Sequence, residues 1–385
     1  MSSGIGVSGI GVVQEVVPLT DLASLTAEVR PELDAAWDEL VSKSAFIGGE
    51  AVSEFEEQWG AYCGTRYAVG VANGTDAVEL TLRALGIGEG DEVVVPANTF
   101  VATAEAVVLT GAKPRFVDVD DETLLLTPEI AAAAVSSRTA AIIAVSLYGN
   151  MPRLDEFAAM AKRAGVALIE DAAQAQGARW NEKPAGSFGA AGCFSFYPVK
   201  NLGAFGDAGA VVTDDGALAD AIRTLANHGR PPHAAHIHSV LARNCRLDAI
   251  QAAVLSIKLT QLERWNAARR EAVETYAELL PDRVRPVTVD PRATSAYHQY
   301  VVRLEGRDAA MDDLRARGIQ CGVHYPIPCH LQAPYEKYAR APIPVVERAA
   351  DEILSLPLFP HITESQIAWV CACLNDHLKR RSNGR

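Results

Sequence analysis

A lysine set among aromatic and aliphatic residues is the first place in this sequence where chemistry could sit. Lys200 lies in Phe194-Ser195-Phe196-Tyr197-Pro198-Val199-Lys200-Asn201-Leu202-Gly203 and is one of only eight lysines in 385 residues. An amine walled by such side chains has its charged form disfavoured, which makes it a nucleophile toward an aldehyde carbonyl. Standing alone, a lysine in a Gly-containing turn reads as a surface residue, so other elements must bear on it. The run Val166-Ala-Leu-Ile-Glu170 is followed by Asp171-Ala-Ala-Gln174, an apolar strand delivering an acid and then an amide to its carboxyl end. Asp171 reads equally well as a helix N-cap. In Val71-Ala-Asn73-Gly74-Thr75-Asp76 a strand turns into an Ala/Leu-rich helix. Backbone N–H groups at a helix start, beside a hydroxyl, can cradle a phosphate, although the same letters also make a plain capped helix.

These three elements need a frame to converge. From residue 67 short apolar runs (Tyr67–Val71, Glu92–Pro96, Lys113–Val119, Ala140–Leu147, Val166–Glu170) alternate with Ala/Leu-rich segments of helical period. That alternation predicts a mainly parallel sheet covered on both faces. Two further runs, Gly192–Phe196 and Gly209–Thr213, follow each other without a helical segment, which predicts a break in the sheet's order there. Ligands of such sheets collect beyond the carboxyl ends of the strands. After residue 247 the pattern turns helical over Asp248–Leu280, then into Pro-rich turns, which predicts a second domain. The expected division is a loose tail over 1–20, a large domain over 21–255 and a small one over 256–385.

The bulk properties narrow the function. With 385 residues, 49% of them hydrophobic, the chain exceeds what one compact core usually holds. A net charge of −13 argues against nucleic-acid and membrane-surface partners, so an anionic ligand must be held by local donors. No apolar run approaches the roughly 20 residues that span a bilayer, and a cytoplasmic protein is expected. Seven cysteines, an odd number spread along a large chain, read as buried thiols rather than a disulfide framework. Gly4-Ile-Gly6-Val-Ser-Gly9 formally matches a dinucleotide fingerprint, but nothing before it can form the strand that such a site needs. The segment 228–238 carries four histidines without a carboxylate or cysteine at zinc spacing, so no metal site is expected and a mobile or interface loop is.

In this order the three elements resemble the DegT/StrS family of sugar aminotransferases. The resemblance runs from Phe46-Ile-Gly-Gly49 to Tyr325-Pro-Ile-Pro-Cys-His330 and beyond. It implies an α/β fold of fold type I: a mainly parallel seven-stranded sheet flanked by helices, with a smaller C-terminal α+β domain. It implies pyridoxal 5'-phosphate (PLP) as cofactor, covalently held by Lys200, with Asp171 pairing the pyridine nitrogen and Gln174 touching the phenolic oxygen. Gly74, Thr75 and Ser195 would bind the phosphate, and Phe100, in Pro96-Ala-Asn-Thr-Phe100, would stack on the ring. Asn244 matches an asparagine that reaches the neighbouring subunit's phosphate, which implies a homodimer with shared sites. Tyr325 and His330 fall in a segment lining the sugar side, while Arg230, Arg243 and Arg246 are candidates for a substrate diphosphate.

The implied reaction is transfer of an amino group, from L-glutamate, to a keto sugar linked to a nucleotide, dTDP in expectation. Relatives that deoxygenate sugars carry His at the lysine's place, so Lys200 selects transamination. The segments around 196–201 and 246–255 resemble the branch acting on 3-keto sugars more than the 4-keto branch. Gln176 stands where many relatives have His, and Cys245 where they have Tyr or Ser. A 4-keto-sugar or cyclitol aminotransferase, or a catalytically idle PLP-binding regulator, are the alternatives.

Overall fold

In the computed structural model, residues 16–232, 234 and 236–383 are described, so the Gly4–Gly9 match and His233 lie outside them. Seven strands form the central sheet: β1 (Tyr67–Val71), β2 (Glu92–Pro96), β3 (Lys113–Val117), β4 (Thr139–Val145), β5 (Ala167–Asp171), β6 (Ala191–Ser195) and β7 (Gly209–Thr213). Their spatial order is β1-β7-β6-β5-β4-β2-β3. Every neighbouring pair from β3 to β6 is parallel, whereas β7 runs antiparallel to both β6 and β1. The break expected at the two consecutive apolar runs is therefore the insertion of β7.

The strands are Val/Ile/Ala-rich because both faces are covered, and the period of two along each strand sorts side chains to opposite layers. In β4, Ala141, Ile143 and Val145 enter one apolar cluster, with Val93 and Val95 of β2, and Ile142 and Ala144 enter the other, with Val94. Helix Gly74–Ala84 packs on the first face. Helix Glu50–Cys63 packs on the second, where Trp59 meets the edges of Phe194 and Phe196 at 4.9 and 5.2 Å between ring centroids.

A second, antiparallel sheet of β8 (Arg285–Pro286), β9 (Tyr300–Arg303) and β10 (Ile353–Leu356) has its own apolar cluster with helices Arg307–Ala316 and Glu364–Asn383. The expected boundary at 255/256 falls inside the continuous helix Ala249–Leu259, whose Ala252 and Leu255 belong to the large sheet's core. The change of core comes along the next helix, Leu262–Leu279: Leu262 packs with the large sheet, and Ala272, Val273 and Tyr276 pack with the small one.

The tail expected over 1–20 is not loose at its described end. Val17 is buried in the small sheet's cluster, and its backbone bonds to Gly318 and Gln320 at 3.0 and 2.9 Å. All seven cysteines are unpaired and buried. Among the described residues no helix is long and apolar enough to cross a membrane.

Candidate active site

The carboxyl ends of β4, β5 and β6 and the start of helix Gly74–Ala84 surround a cavity of about 580 Å³, a volume suited to a small-molecule site. Lys200, Asp171, Gln174, Phe100, Gly74, Thr75, Ser195, Tyr325 and Arg243 all line it. Residues far apart in sequence thus meet where a parallel sheet collects its ligands.

Asp171 is the last residue of β5, and no helix follows it, so the N-cap reading is excluded. Its carboxylate is held on both oxygens. The Thr103 hydroxyl donates to Oδ2 at 2.6 Å, and the Ala173 N–H donates to Oδ1 at 3.2 Å. Burial raises the Asp171 pKa, opposed by the Thr103 and Ala173 hydrogen bonds and by the charge of Lys200. Thr103 is in turn fixed by Thr99 across 2.7 Å.

Lys200 sits in the turn between β6 and β7. Its N–H donates to the Tyr197 carbonyl at 2.8 Å, and a Cβ on Gly203 would come within 2.2 Å of the Pro198 carbonyl, so the turn closes only on glycine. The next residue, Asn201, is buried and donates to Asn266 Oδ1 at 2.8 Å and to the Ala296 carbonyl at 2.7 Å. Loss of solvent pulls the Lys200 amine down to about 8, although Asp171 pulls the other way. The side chain stays partly exposed because it opens on the cavity. A deep cleft offers surface to a small molecule while remaining far from bulk water.

At the phosphate end, Asn73 caps helix Gly74–Ala84 by accepting from the Asp76 N–H at 2.8 Å. A Cβ on Gly74 would lie 2.6 Å from Ser195 Cβ, so only glycine lets this helix start approach the end of β6. Helix-start N–H groups, the Thr75 hydroxyl and Ser195 thereby share one corner, the donor set a phosphate needs. Phe100 stands at the N-terminus of helix Val101–Leu109 and is 51% exposed, so its ring is not part of the core. Its ring lies 5.4 Å from that of Tyr325. Aldehyde-reactive amine, buried carboxylate, phosphate corner and open aromatic face together fit a phosphorylated pyridine aldehyde.

Other expected residues lie elsewhere. His330 is 1% exposed and absent from the cavity lining, and its Nε2 donates to Glu347 at 3.1 Å. Its side chain is buried beside Phe116, so a substrate contact is not available to it. Arg230, Arg246 and Asn244 do not line this chain's cavity. Arg246 donates to Asn244 Oδ1 at 3.0 Å, and Arg243 is held by Asp76 and Glu79 at 2.9 and 2.5 Å. Gln176 faces away from the cavity and donates to the Ser195 and Ala173 carbonyls, a brace between β6 and the turn after β5. Cys245 is buried behind Asp76, with its N–H donating to the Ala226 carbonyl at 2.8 Å. Among the described residues no group of three or more His, Cys, Asp or Glu is placed to hold a metal.

Thr103, Tyr148 and His324 were missed by the sequence reading. Thr103 lies one turn beyond Phe100, and a hydroxyl at that spacing was the available signal. His324 lines the cavity beside Tyr325, and its Nδ1 pairs with the Ser355 hydroxyl at 2.8 Å; burial and the Lys200 charge lower it to about 4.

Residues 28–375 match the model of the DegT/DnrJ/EryC1/StrS aminotransferase family. A pleiotropic regulatory protein of Geobacillus stearothermophilus is 42% identical, over 92% of this chain and 96% of its own. A dTDP-3-amino-3,4,6-trideoxy-alpha-D-glucose transaminase of Streptomyces venezuelae is 40% identical, over 94% and 97%. The X-ray structure of S. venezuelae DesV in complex with a ketimine intermediate superposes with a TM-score of 0.91 at 39% identity, covering 94% of this chain and 98% of that one.

Proposed function

This chain belongs to the DegT/DnrJ/EryC1/StrS aminotransferase family and is a PLP-dependent sugar aminotransferase, and from that premise we propose that it moves an amino group from L-glutamate to a dTDP-linked 3-keto-6-deoxy sugar. The observation that carries the reading is the single cavity in which the Lys200 amine, lowered to about 8, faces the region of the buried Asp171 carboxylate. Relatives named for 3-amino nucleotide sugars support the choice of carbon.

Bound PLP supplies an aldehyde that takes up the amine covalently and a ring that accepts the electrons released at the donor's α-carbon. Lys200 would hold it through Nζ in the resting enzyme. Once freed by the donor, the same Nζ would take the proton from the donor's α-carbon and deliver it to the cofactor's aldehyde carbon, on the far side of the transferred nitrogen, as general base and then acid. Asp171, whose two carboxylate oxygens are held by the Thr103 and Ala173 donors, would pair with the pyridine nitrogen and keep it protonated. Gly74, Thr75 and Ser195 would hold the phosphate, Phe100 would cover the ring, and Gln174 would meet the phenolic oxygen. Tyr325 would line the sugar side, and of the three candidate arginines Arg243 lines the cavity where a diphosphate could be met, while Arg230 and Arg246 could reach one only from outside this chain's cavity lining.

The reading includes a cytoplasmic homodimer in which Asn244 serves the partner's phosphate site. Exposed Phe46, Ile47, Phe205 and Leu241 support it, because large apolar side chains left open to water are surface that a second copy could cover. A second reading, a PLP-binding regulator without turnover, is raised by the regulatory name of the G. stearothermophilus relative.

The test presents purified protein with PLP, L-glutamate and, in turn, dTDP-linked 3-keto and 4-keto sugars and a keto cyclitol, with aminated product read by mass spectrometry. Amination of the 3-keto sugar is expected. Product from the 4-keto sugar or cyclitol alone moves the assignment within the family. Failure of glutamate to convert the cofactor to its pyridoxamine form leaves the regulator.

A further inference from the structure

Tyr148 is buried and falls in the turn Leu147–Gly149 directly beyond β4, with φ 63° and ψ 5°. That is the left-handed region, which a bulky L residue rarely adopts. The residue does not line the cavity, yet each of its polar groups reaches one that does. Its backbone N–H donates to Gln174 Oε1 at 2.6 Å, and its phenolic O–H donates to the His324 carbonyl at 2.7 Å. Its carbonyl accepts from the Gln299 N–H at 3.2 Å. Gln174, Gln299 and His324 are all cavity residues.

These bonds close on themselves. Gln174 Nε2 donates to the Tyr325 phenolic oxygen at 3.3 Å, and Tyr325 is bonded to His324, whose carbonyl returns to Tyr148. The turn is also fixed from behind: a Cβ on Gly149 would lie 2.7 Å from the His298 nitrogen and 3.1 Å from the Gln174 carbonyl. Only the unusual backbone at 148 lets the N–H face Gln174 while the ring crosses to the 324–325 segment.

We propose that Tyr148 is a positioning residue that ties Gln174, on the cofactor side of the cavity, to the His324–Tyr325 segment on the sugar side. The inference rests on the reading above, in which Tyr325 meets the sugar. It assigns Tyr148 no contact with either ligand. Removing the hydroxyl cuts the sugar-side tie, together with the Asn98 side-chain bond to the same oxygen, and leaves the tie to Gln174, which is made by the backbone.

The test compares the holoenzyme with Tyr148→Phe. Hydrogen exchange in peptides covering 323–326 is expected to accelerate about tenfold, the loss of one hydrogen bond, while peptides covering 172–176 stay at the parent rate. With dTDP-3-amino-3,4,6-trideoxy-alpha-D-glucose and 2-oxoglutarate as probes of the reverse reaction, KM for the amino sugar should rise about three- to tenfold. The single-turnover rate with glutamate should hold. Unchanged exchange at 323–326, or equal slowing of both half-reactions, overturns the proposal. If the parent does not turn over the amino sugar, the substrate assignment fails, and the exchange and glutamate results still decide the role of Tyr148. Should Tyr148→Phe not fold, Tyr325→Phe cuts the ring at its other side-chain link. The same acceleration at 323–326 then supports the proposal, and parent-like exchange refutes it.

Discussion

Lys200 and Lys258 are both lysines whose amines are brought to about 8 by loss of solvent, and their surroundings differ in what the amine can reach. Lys258, on helix Ala249–Leu259, is 5% exposed; it donates to the Gly203 carbonyl at 2.8 Å and lies 4.5 Å from the Phe205 ring centre. Its amine is enclosed by the loop it grips. Lys200, carried by that same loop, opens on the cavity within the field of Asp171. A lowered pKa therefore measures burial. Whether the amine is a nucleophile depends on access and on freedom from a fixed partner.

Substitution separates the two most sharply. Lys200→Ala should slow the single-turnover reaction with glutamate by about 10²–10⁴-fold, the usual worth of a positioned general acid–base. Lys258→Met should keep that rate within about tenfold and cost about 1–3 kcal/mol of stability by leaving the Gly203 carbonyl without its donor. Comparable kinetic losses in the two variants would erase the distinction. Next in size, Asp171→Asn should slow both half-reactions by about 10²-fold, as loss of a preorganised charge does; a parent-like rate would remove Asp171 from the electron-sink assignment.

Gly74→Ala tests the phosphate corner apart from either lysine. Its new methyl meets Ser195 Cβ, so a destabilisation of about 1–3 kcal/mol is expected in thermal unfolding, with weaker retention of PLP on dialysis. The smallest effect is in pH. Below pH 8 the Lys200 amine is mostly protonated and unreactive, so the rate of PLP attachment to the apoenzyme should rise with pH, about tenfold per unit, and level off above 8. Lys258→Met should leave that midpoint in place; stopped-flow absorbance would show a shift if the wrong lysine has been assigned.

Much of the frame was legible because parallel strands are written as continuous apolar runs. Glu92–Pro96 and Gly209–Thr213 fall where the sequence puts them. The run ending at Leu147 extends past its strand, which stops at Val145, because hydrophobicity continues while the backbone turns at the left-handed Tyr148. The change of core along one helical region leaves no break in helical periodicity, so the sequence pattern alone does not locate it. At the site, Lys200, Asp171, Gln174 and the 73–76 turn stood out as chemically unusual letters at strand ends. The Thr103 hydroxyl did not, since its value comes from packing against a strand 68 residues away. Nor can spacing decide between Tyr325 and His330, five residues apart in one Pro-rich segment: the first faces the cavity and the second is buried against Glu347. The expectation for Asn244 comes from the resemblance alone, because a role toward a second subunit leaves no signal in the spacing of one chain.

The most direct measurement reduces the PLP-loaded enzyme with borohydride, digests it and maps the pyridoxyl group by mass spectrometry. The account predicts the added mass on the peptide containing Lys200 and on no other lysine. A label on the Lys258 peptide, or a Lys200 peptide of unmodified mass, would contradict it.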